Sequence, residues 1–480
     1  MKNHLNSIVA SLAMALALAL TGCGDFLGDY TSPEPPPRMD HVTGIIMETT
    51  ELALMEGQGR LLLAQVDPPY ATDPRIDWSS SDAAVATVSA KGTVLAKSPG
   101  TAAITASSRD GGIKAVCQVT VTKAVPIYST DVYTAGRVVN SAGLTEAKLW
   151  VGGIEQYLEL QHGGLAASQA RGVVVAPNGD VYVCGRETRH PGAGQTNYVN
   201  VYWKNGERFA LDPEDGTYHG NPVHGLALYG DDLYLWGGMQ RMSQTPTQST
   251  RACFWKVAPD GKITRIDLTH GLSGTLSYCT GVVVSGGDVY AVFYGTSNLD
   301  GTVVTTANST KLWKAPVGDF RHPTITELPS PRTGATTVTG LWVSDGSIYA
   351  VGSSAGTPTM PILWKDGKIQ PFTYDTTRNA TVSKGASYGG NIYMAGTQAF
   401  EAAPTTRAQL WTNGIPQTLA DGAGTGATTA TCVFANASGV YVGGFNTLAN
   451  RNPLVWINGV SYRHAAGGAT EPAVEGIFVK

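Results

Sequence analysis

The chain has 480 residues, which is enough for two or three domains. It contains 58 glycines, and only 15% of its residues are charged, a composition typical of a turn-rich β protein rather than a helical one. The net charge is −4 and Lys and Arg form no block, so we expect no nucleic-acid partner.

The first segment, residues 1–22, has the pattern of an export signal. Lys2 precedes an apolar run from Ile8 to Leu20, which is too short to span a bilayer comfortably. The run ends in Leu20-Thr21-Gly22-Cys23, which resembles the lipobox of bacterial lipoproteins. The resemblance implies that Cys23 is lipidated and begins the mature chain. The alternative is an ordinary cleaved signal followed by a chance cysteine.

The expected partner of this end of the chain is therefore a membrane, because a cysteine with several acyl chains anchors stably. Gly24 follows Cys23, and in lipoproteins of this kind a residue other than Asp there implies sorting to the outer membrane. The sequence leaves open which side of that membrane the protein faces. Residues 23–40 are rich in proline and predict an extended tether.

Residues 41–123 predict a domain of short strands separated by turns. Trp78-Ser79-Ser80-Ser81-Asp82 is followed by Val85-Ala86-Thr87-Val88, Gly92-Thr93-Val94 and Pro99-Gly100-Thr101. These motifs resemble the bacterial immunoglobulin-like domain of group 2 over about eighty residues. The resemblance implies a β-sandwich with Trp78 as a core plug, and such modules occur in adhesins and surface enzymes.

Residues 127–480 contain seven repeats, each marked by an aliphatic-Tyr pair and by a Trp. The tryptophans are Trp150, Trp203, Trp255, Trp313, Trp364, Trp411 and Trp456. Most are followed by an Asn-Gly, Asp-Gly or Gly-Gly turn, so each unit predicts four strands joined partly by tight hairpins. Seven such units predict a seven-bladed β-propeller in an all-β protein. The repeats resemble those of kelch-like propellers and, more closely, those of uncharacterised bacterial surface lipoproteins, but the terminal Trp of a full kelch repeat is missing.

The two ends of the repeat array are complementary. No first strand precedes Tyr133, whereas residues 475–480 match the first strand of a unit that has no other strands. We therefore expect the C-terminal strand to complete the first blade and close the ring, which would remove an exposed sheet edge.

The candidate ligand-binding surface is the propeller face that carries the long loops, among them 186–197, 239–251, 296–310, 212–223, 269–278 and 329–338. The residue before each first strand should line the channel mouth on this face. Reading down the repeats, these residues are Arg171, His224, Thr280, Thr339, Lys384, Thr431 and Glu475. A solvated strand end is the alternative explanation. His224 would make affinity vary between about pH 5.5 and 7.5 if it kept its usual pKa of roughly 6.5.

Metal, disulfide and catalytic motifs are weak or missing in the sequence. Cys117, Cys184, Cys253, Cys279 and Cys432 have no metal-site spacing and are predicted as buried thiols, with a Cys253–Cys279 disulfide as the alternative. An acidic loop (Asp212, Glu214, Asp215) and a charged loop (Arg186, Glu187, Arg189, His190) are secondary candidates, and a solvated turn explains the first. We expect no cofactor and no metal, and no catalytic residues can be assigned.

The functional hypothesis is a cell-envelope lipoprotein that binds or adheres to a glycan or a protein through the long-loop face. One alternative is a carbohydrate-active enzyme, a lyase or hydrolase, with its site at the channel mouth. His224 and Arg171 would serve a lyase, whereas glycoside hydrolysis needs two carboxylates and the ring offers Glu475 alone. The other alternative is a structural scaffold.

Overall fold

The computed structural model describes residues 41–140, 143–160, 166–188, 198–212, 218–241, 250–269, 277–295, 309–401, 406–421, 426–447, 452–464 and 470–480. The export signal, Cys23 and the tether lie outside these ranges. So do most of the long loops, including Arg189, His190, Glu214 and Asp215. The described ranges contain no helix long and apolar enough to cross a membrane.

The first domain is built from nine strands in three sheets within the described part of residues 41–123. The strands are β1 (Gly44–Met47), β2 (Glu51–Met55), β3 (Gly59–Leu61), β4 (Ala64–Asp67), β5 (Ile76–Ser80), β6 (Ala86–Val88), β7 (Thr93–Ala96), β8 (Gly100–Ser108) and β9 (Lys114–Thr122). The sheet orders are β1-β4, β2-β9-β8-β5 and β3-β7-β6. Leu54, Ile104 and Val119 lie in the core, and the half-buried Trp78 packs against it. Trp78 therefore packs against the edge of this core and stays partly exposed, whereas the resemblance implies a buried core residue.

The second domain consists, in the described residues, of seven four-stranded sheets. Blade one contains β10 (Val132–Val139), β11 (Thr145–Val151), β12 (Ile154–Gln156) and β37 (Thr470–Val479). Blade two contains β13 (Ser168–Val175), β14 (Val181–Thr188), β15 (Tyr198–Lys204) and β16 (Glu207–Ala210). Blade three contains β17 (Tyr218–Tyr229), β18 (Asp232–Arg241), β19 (Thr250–Val257) and β20 (Ile263–Asp267). Blade four contains β21 (Ser277–Ser285), β22 (Asp288–Gly295), β23 (Ser309–Pro316) and β24 (Thr324–Glu327).

The remaining three blades follow the same pattern. Blade five contains β25 (Thr336–Ser344), β26 (Ser347–Ser354), β27 (Met360–Lys365) and β28 (Lys368–Gln370). Blade six contains β29 (Ala380–Tyr388), β30 (Asn391–Ala399), β31 (Thr406–Thr412) and β32 (Ile415–Leu419). Blade seven contains β33 (Thr428–Asn436), β34 (Gly439–Asn446), β35 (Asn452–Ile457) and β36 (Val460–Arg463). The predicted propeller is confirmed.

The C-terminal strand closes the ring, as the sequence predicts. β37 pairs antiparallel with β10, with Val132 opposite Val479 and Thr134 opposite Ile477. Ile477 and Val479 are buried between blades. Closure therefore satisfies the backbone of β10 and covers apolar side chains with residues that are more than 300 positions away in the sequence.

The repeated Trp residues are the packing units between blades. All seven are among the most fully buried side chains of the described residues. Several also fix one blade to the next: the indole nitrogen of Trp203 donates to the carbonyl of Glu159 (2.7 Å), and that of Trp364 donates to the carbonyl of Pro329 (2.8 Å). In both pairs the acceptor follows the outermost strand of the preceding blade. The repetition of Trp is thus explained by packing.

Four of the five Asn-Gly and Asp-Gly turns that follow a repeated Trp have the left-handed residue pair of a tight hairpin; Asp260-Gly261 is the exception. Asn205 has a φ of 51° and Gly206 a φ of 84°, the left-handed pair that such two-residue turns require. The Asn205 side chain also accepts a hydrogen bond from the amide of Val181 (2.8 Å), so the turn holds the start of a neighbouring strand.

The immunoglobulin-like domain contacts the segment that follows β12, the outermost strand of blade one. The ammonium of Lys91 lies 2.6 Å from the carboxylate of Glu159, and the amide of Tyr157 donates to the carbonyl of Gly57 (3.3 Å). A groove of about 900 Å³ runs along this junction. Its Lys and Arg side chains lie beside carboxylates, as in Lys148 with Glu146 and Glu155, so the groove is charge-balanced.

Candidate functional site

One edge strand of every blade has a bulge at the same place: β37 in blade one, and β13, β17, β21, β25, β29 and β33 in blades two to seven. One residue at this bulge has no partner in the strand pairing. These bulge residues form a ring around the channel: Glu475, Arg171, His224, Thr280, Thr339, Ser383 and Thr431, from blade one to blade seven. The sequence placed the ring just before the strands. The structure places it inside them, because each strand begins several residues earlier than the apolar pattern indicates.

A cavity of about 570 Å³ opens at this ring. It is lined by all seven predicted residues, Arg171, His224, Thr280, Thr339, Lys384, Thr431 and Glu475. Side chains from seven blades, up to 304 positions apart between Arg171 and Glu475, thus meet in one cavity. The volume is in the range of small-molecule sites, which is about 300–1,000 Å³. That these residues bind a ligand stays a prediction.

Lys384 lines the cavity but is not the bulge residue of its blade, which the repeat pattern predicts it to be. The bulge residue of blade six is Ser383, and Lys384 occupies the next position, which is glycine in blades one to five. Its ammonium donates to the carbonyls of Thr339 (2.7 Å) and Thr280 (3.2 Å). Counting nine residues back from Ile392, as for Thr339 from Ile348, would have identified Ser383 from the sequence.

Four bulge residues carry a hydroxyl that links one blade to the next. Each donates to the carbonyl of the residue that precedes the bulge in the following blade. The pairs are Thr280 to Val338 (2.9 Å), Thr339 to Val382 (2.8 Å), Ser383 to Ala430 (2.9 Å) and Thr431 to Val474. We call Thr280, Thr339, Ser383 and Thr431 the hydroxyl arc. The predicted site residues Thr280, Thr339 and Thr431 therefore have a structural role, whether or not they also contact a ligand.

The other three bulge residues, Glu475, Arg171 and His224, lie on adjacent blades, and we call them the charged arc after Glu475 and Arg171. The Glu475 carboxylate lies 3.7 Å from the Arg171 guanidinium and 3.5 Å from that of Arg137. Arg171 also contacts the side-chain oxygen of Gln169 (3.3 Å), while its Nε has no hydrogen-bond partner among the described residues. Glu475 therefore pairs with two arginines, whereas Lys384 contacts backbone carbonyls.

His224 is surrounded by positive charge. Burial, with the nearby charges of Arg171, Lys384 and Arg186, lowers the pKa of His224 to about 3. Its Nε2 is buried without a hydrogen-bond partner among the described residues, and its ring packs edge-on against Tyr278, with centroids 6.3 Å apart. The expectation that His224 titrates between pH 5.5 and 7.5 is therefore wrong, since the imidazole stays neutral throughout that range.

Two arginines extend the positive charge toward the loop face. Arg137 and Arg186 lie on the second strands of blades one and two, opposite Ala473 and Gln169. The guanidinium of Arg186 stacks on the ring of Tyr198, with 3.9 Å between them. Burial, with the charges of Arg171 and Arg137, lowers the pKa of Arg186 to about 10.

Arg137 was missed at the level of sequence, although a signal existed. Both arginines follow a glycine in the second strand, Gly136 and Gly185, where a side chain would collide with the backbone of the first strand. Because the repeat fixes this glycine, the residue after it falls at one place in each of these blades. Comparing that residue between repeats would have shown arginine in two neighbouring blades.

Asp212 and Glu187, from the two secondary candidate loops, form contacts with other strands of the propeller. Asp212 accepts hydrogen bonds from the indole of Trp255 (3.1 Å) and from Arg265 (2.9 Å), so it is engaged between strands. Glu187 pairs with Arg208 rather than facing the cavity. Within the described residues, no cluster of three or more His, Cys, Asp or Glu could hold a metal.

The five described cysteines are buried thiols, as predicted, and the alternative Cys253–Cys279 disulfide is not formed. Burial raises the pKa of Cys184, Cys279 and Cys432, which lie near Lys384, to about 12. These thiols are therefore neutral at physiological pH and add no negative charge to the channel.

Residues 41–119 match the family model of the bacterial Ig-like domain (group 2). The chain belongs to the proteins that carry this domain. It is similar to an alpha-L-arabinofuranosidase of Bifidobacterium longum subsp. longum, with 44% identity over 79 residues, 16% of this chain and 7% of that protein. The chain spans less than a third of the length of the first three curated relatives that it matches.

Solved structures resemble the described chain at the level of fold. A quinonprotein alcohol dehydrogenase-like protein from Bacteroides thetaiotaomicron aligns over 90% of this chain and 96% of that chain, with 13% identity and a TM-score of 0.39. The β-propeller domain of the Trilobed protease from Pyrococcus furiosus aligns over 89% of this chain and 97% of that chain, with 8% identity and a TM-score of 0.36. At these identities the likeness concerns the fold alone.

Proposed function

We propose that this chain is a cell-envelope lipoprotein that binds a glycan in the channel cavity of its propeller. The observation that carries the proposal is the unequal ring. Seven equivalent bulge positions line one cavity, and three adjacent ones carry Glu475, Arg171 and His224 where the others carry hydroxyls. A symmetric scaffold needs no such difference for its own packing, whereas an asymmetric ligand does.

The wall of the cavity suits a glycan. Thr337, Ser353, Thr359 and Thr381 add hydroxyls to the lining, and Tyr294 adds an aromatic ring. Hydroxyl and aromatic groups beside a few charges fit a polyhydroxylated ring, which has polar edges and an apolar face. A concave cavity also favours a glycan over a flat protein surface, which makes a protein partner on the loop face the weaker hypothesis.

The test is a glycan array probed with the purified full chain in detergent. We compare wild type with His224→Phe, which keeps a ring of similar shape but removes the imidazole nitrogens. The matched control is His322→Phe, at an exposed histidine outside the cavity. We expect wild type and His322→Phe to bind the same glycans and His224→Phe to lose them.

Two outcomes of this test contradict the proposal. If no form binds a glycan on the array, and all three forms capture envelope proteins equally in a pull-down, a protein partner on the loop face is favoured. Binding to neither glycans nor proteins would favour the structural scaffold.

A lyase is the second candidate, because the unpartnered Nε2 of the neutral His224 lies near the Arg171 guanidinium. In this reaction Nε2 accepts the C5 proton of a uronate, the bond from C4 to the glycosidic oxygen breaks, and a C4–C5 double bond forms. The departing oxygen takes a proton from water, and the hydroxide that remains takes the proton from Nε2, which restores the neutral imidazole. Arg171 stabilises the charge that develops on the uronate carboxylate. Ultraviolet absorbance of the unsaturated product would reveal it, and His224→Phe should abolish that signal.

The membrane anchor is a separate part of the proposal, supported by the Leu20-Thr21-Gly22-Cys23 motif and by its resemblance to the lipobox. We expect Cys23→Ser to abolish labelling with a palmitate analogue and to release the protein from the outer-membrane fraction. Labelling that persists in Cys23→Ser would place the anchor elsewhere. The kelch-like character of the blades rests on their topology and adds no partner.

A further inference from the structure

The charged arc departs from the structural pattern of the ring. In four consecutive blades the bulge hydroxyl donates to the next blade, and in the other three the side chain is Glu475, Arg171 or His224. These three blades are adjacent, so the departures form one continuous surface rather than scattered exceptions. In these three blades the bulge side chain is not a hydroxyl that links neighbouring blades, and it lines the cavity.

The charged arc and its neighbours carry an excess of positive charge. Arg171, Arg137, Arg186 and Lys384 provide four cationic groups, and the carboxylate that faces them is Glu475. Arg171 and Arg137 are only 24% and 23% exposed. Charges removed from water in this way are costly unless they are paired, and their attraction for an anion is stronger there than at an open surface.

The arc and the neighbouring Arg186 also have buried nitrogen atoms that no group of the described residues contacts by a hydrogen bond. The Nε atoms of Arg171 and Arg186 and the Nε2 atom of His224 are buried and have no hydrogen-bond partner among the described residues. A guanidinium is a planar donor that matches the two oxygens of a carboxylate. His224 can donate beside it if its proton lies on Nε2.

From the charge and the donors together, we propose that the ligand is an acidic sugar, a glycan unit whose carboxylate is bound by Arg171 and His224. Lys384 also lines the cavity, and Arg186 lies close enough to act on the charge of His224, so both supply positive charge. The lining hydroxyls and Tyr294, which come from blades four to six, contact the sugar ring. This inference rests on the proposed glycan-binding function and specifies its ligand class.

The test uses pairs of oligosaccharides that differ in one group. A panel of uronic-acid and sialic-acid oligosaccharides is compared by calorimetry with the same compounds after reduction of each carboxylate to a hydroxymethyl group. We expect the full chain to bind at least one acidic member and to bind its reduced partner about ten- to a hundredfold more weakly, the range for a charged hydrogen-bonded pair.

Two variants locate the effect. Arg171→Met should weaken binding of the acidic compound about tenfold or more and leave binding of the reduced one nearly unchanged. Lys365→Met, at a cation outside the cavity beside the ring of Tyr349, is the control and should bind both compounds as wild type does.

Failure of the inference differs from failure of the proposed function. Equal binding of acidic and reduced compounds would overturn the acidic-sugar proposal and leave a glycan-binding protein. Preference for sulfated or phosphorylated glycans over carboxylated ones would overturn the carboxylate assignment. Binding to no compound in the panel and to no glycan on the array would defeat both.

Discussion

The hydroxyl arc and the charged arc occupy equivalent positions of one ring but use them differently. In the hydroxyl arc, the side chains of Thr280, Thr339, Ser383 and Thr431 donate to the backbone of the next blade. In the charged arc, the Nε atom of Arg171 and the Nε2 atom of His224 are buried and have no hydrogen-bond partner among the described residues. The first arc therefore contributes to stability, whereas the second holds polar groups at a cost that a ligand would offset. The contrast separates structure from function within a single repeat position.

The largest expected effect concerns β37, which joins the two arcs because it carries both Val474, the acceptor of the Thr431 hydroxyl, and Glu475. Deleting residues 476–480 removes the buried side chains of Ile477 and Val479, worth roughly 1.5–3 kcal/mol each, and leaves residues 132–135 of β10 without their partners in β37. We expect aggregation or a loss of cooperative unfolding, measured by light scattering and calorimetry. An unchanged melting temperature would contradict closure by β37.

The second prediction converts part of one arc into the other. Arg171→Thr should place a hydroxyl where it can donate to the carbonyl of Val223, as Thr339 does to Val382. We expect at least a tenfold loss of affinity for the acidic glycan, together with a gain of about 1 kcal/mol in the free energy of unfolding. Lower stability in Arg171→Thr would mean that the arginine itself holds the blades together.

The converse change tests the hydroxyl arc. Thr339→Val keeps the shape of the side chain but leaves the carbonyl of Val382 without its donor, which should cost about 1–2 kcal/mol. Thr101→Val, at an exposed threonine of the first domain, is the control. Denaturant titration measures both variants. A loss of glycan affinity without a loss of stability in Thr339→Val would assign this hydroxyl to the ligand instead.

The pH dependence of binding should come from Lys384 rather than from His224. Burial lowers the pKa of Lys384 to about 8, so its positive charge is present at pH 7 and lost above pH 8. We expect affinity for an acidic glycan to be flat from pH 5.5 to 7 and to fall severalfold by pH 9. Lys384→Met should flatten this profile. The other charged or titratable groups near the ammonium are Arg171, Glu475, His224, Cys184, Cys279 and Cys432.

The same group links stability to pH. The pKa of Lys384 is lower in the folded chain than its ordinary value of 10.5, so the unfolded chain binds the proton more tightly. The free energy of unfolding should therefore rise between about pH 8 and 10.5, and this rise should be smaller in Lys384→Met. A profile centred near pH 6.5 in either experiment would restore His224 as the titrating group.

The smallest expected effect is a change in affinity for the acidic glycan in Glu475→Gln, and its direction is informative. Glu475→Gln removes the carboxylate that faces Arg137 and Arg171 at 3.5 and 3.7 Å, and so raises the net positive charge of the charged arc. We expect affinity for the acidic glycan to increase about two- to fivefold, because partly screened charges contribute modestly. A decrease would show that Glu475 orients the arginines or contacts the ligand.

The sequence by itself determined the two domains, the seven blades, the closing strand and the ring of variable positions. It did so because packing repeats: Trp150 and its equivalents fill the same space in every blade, and the Asn-Gly and Asp-Gly turns need left-handed backbone. Local chemistry of this kind is visible in a single chain. A repeat also makes any position that varies stand out, which is how Arg171, His224 and Glu475 were found.

Tertiary structure alone decided what the ring positions do. The hydroxyl of Thr339 and the ammonium of Lys384 contact backbone carbonyls of other blades, and no pattern in the sequence shows which carbonyl a side chain will reach. The neutral state of His224 likewise depends on burial and on cations from blades two and six. Charge state and hydrogen bonding are set by distances between segments that are far apart in the chain, so they emerge only when the ring closes.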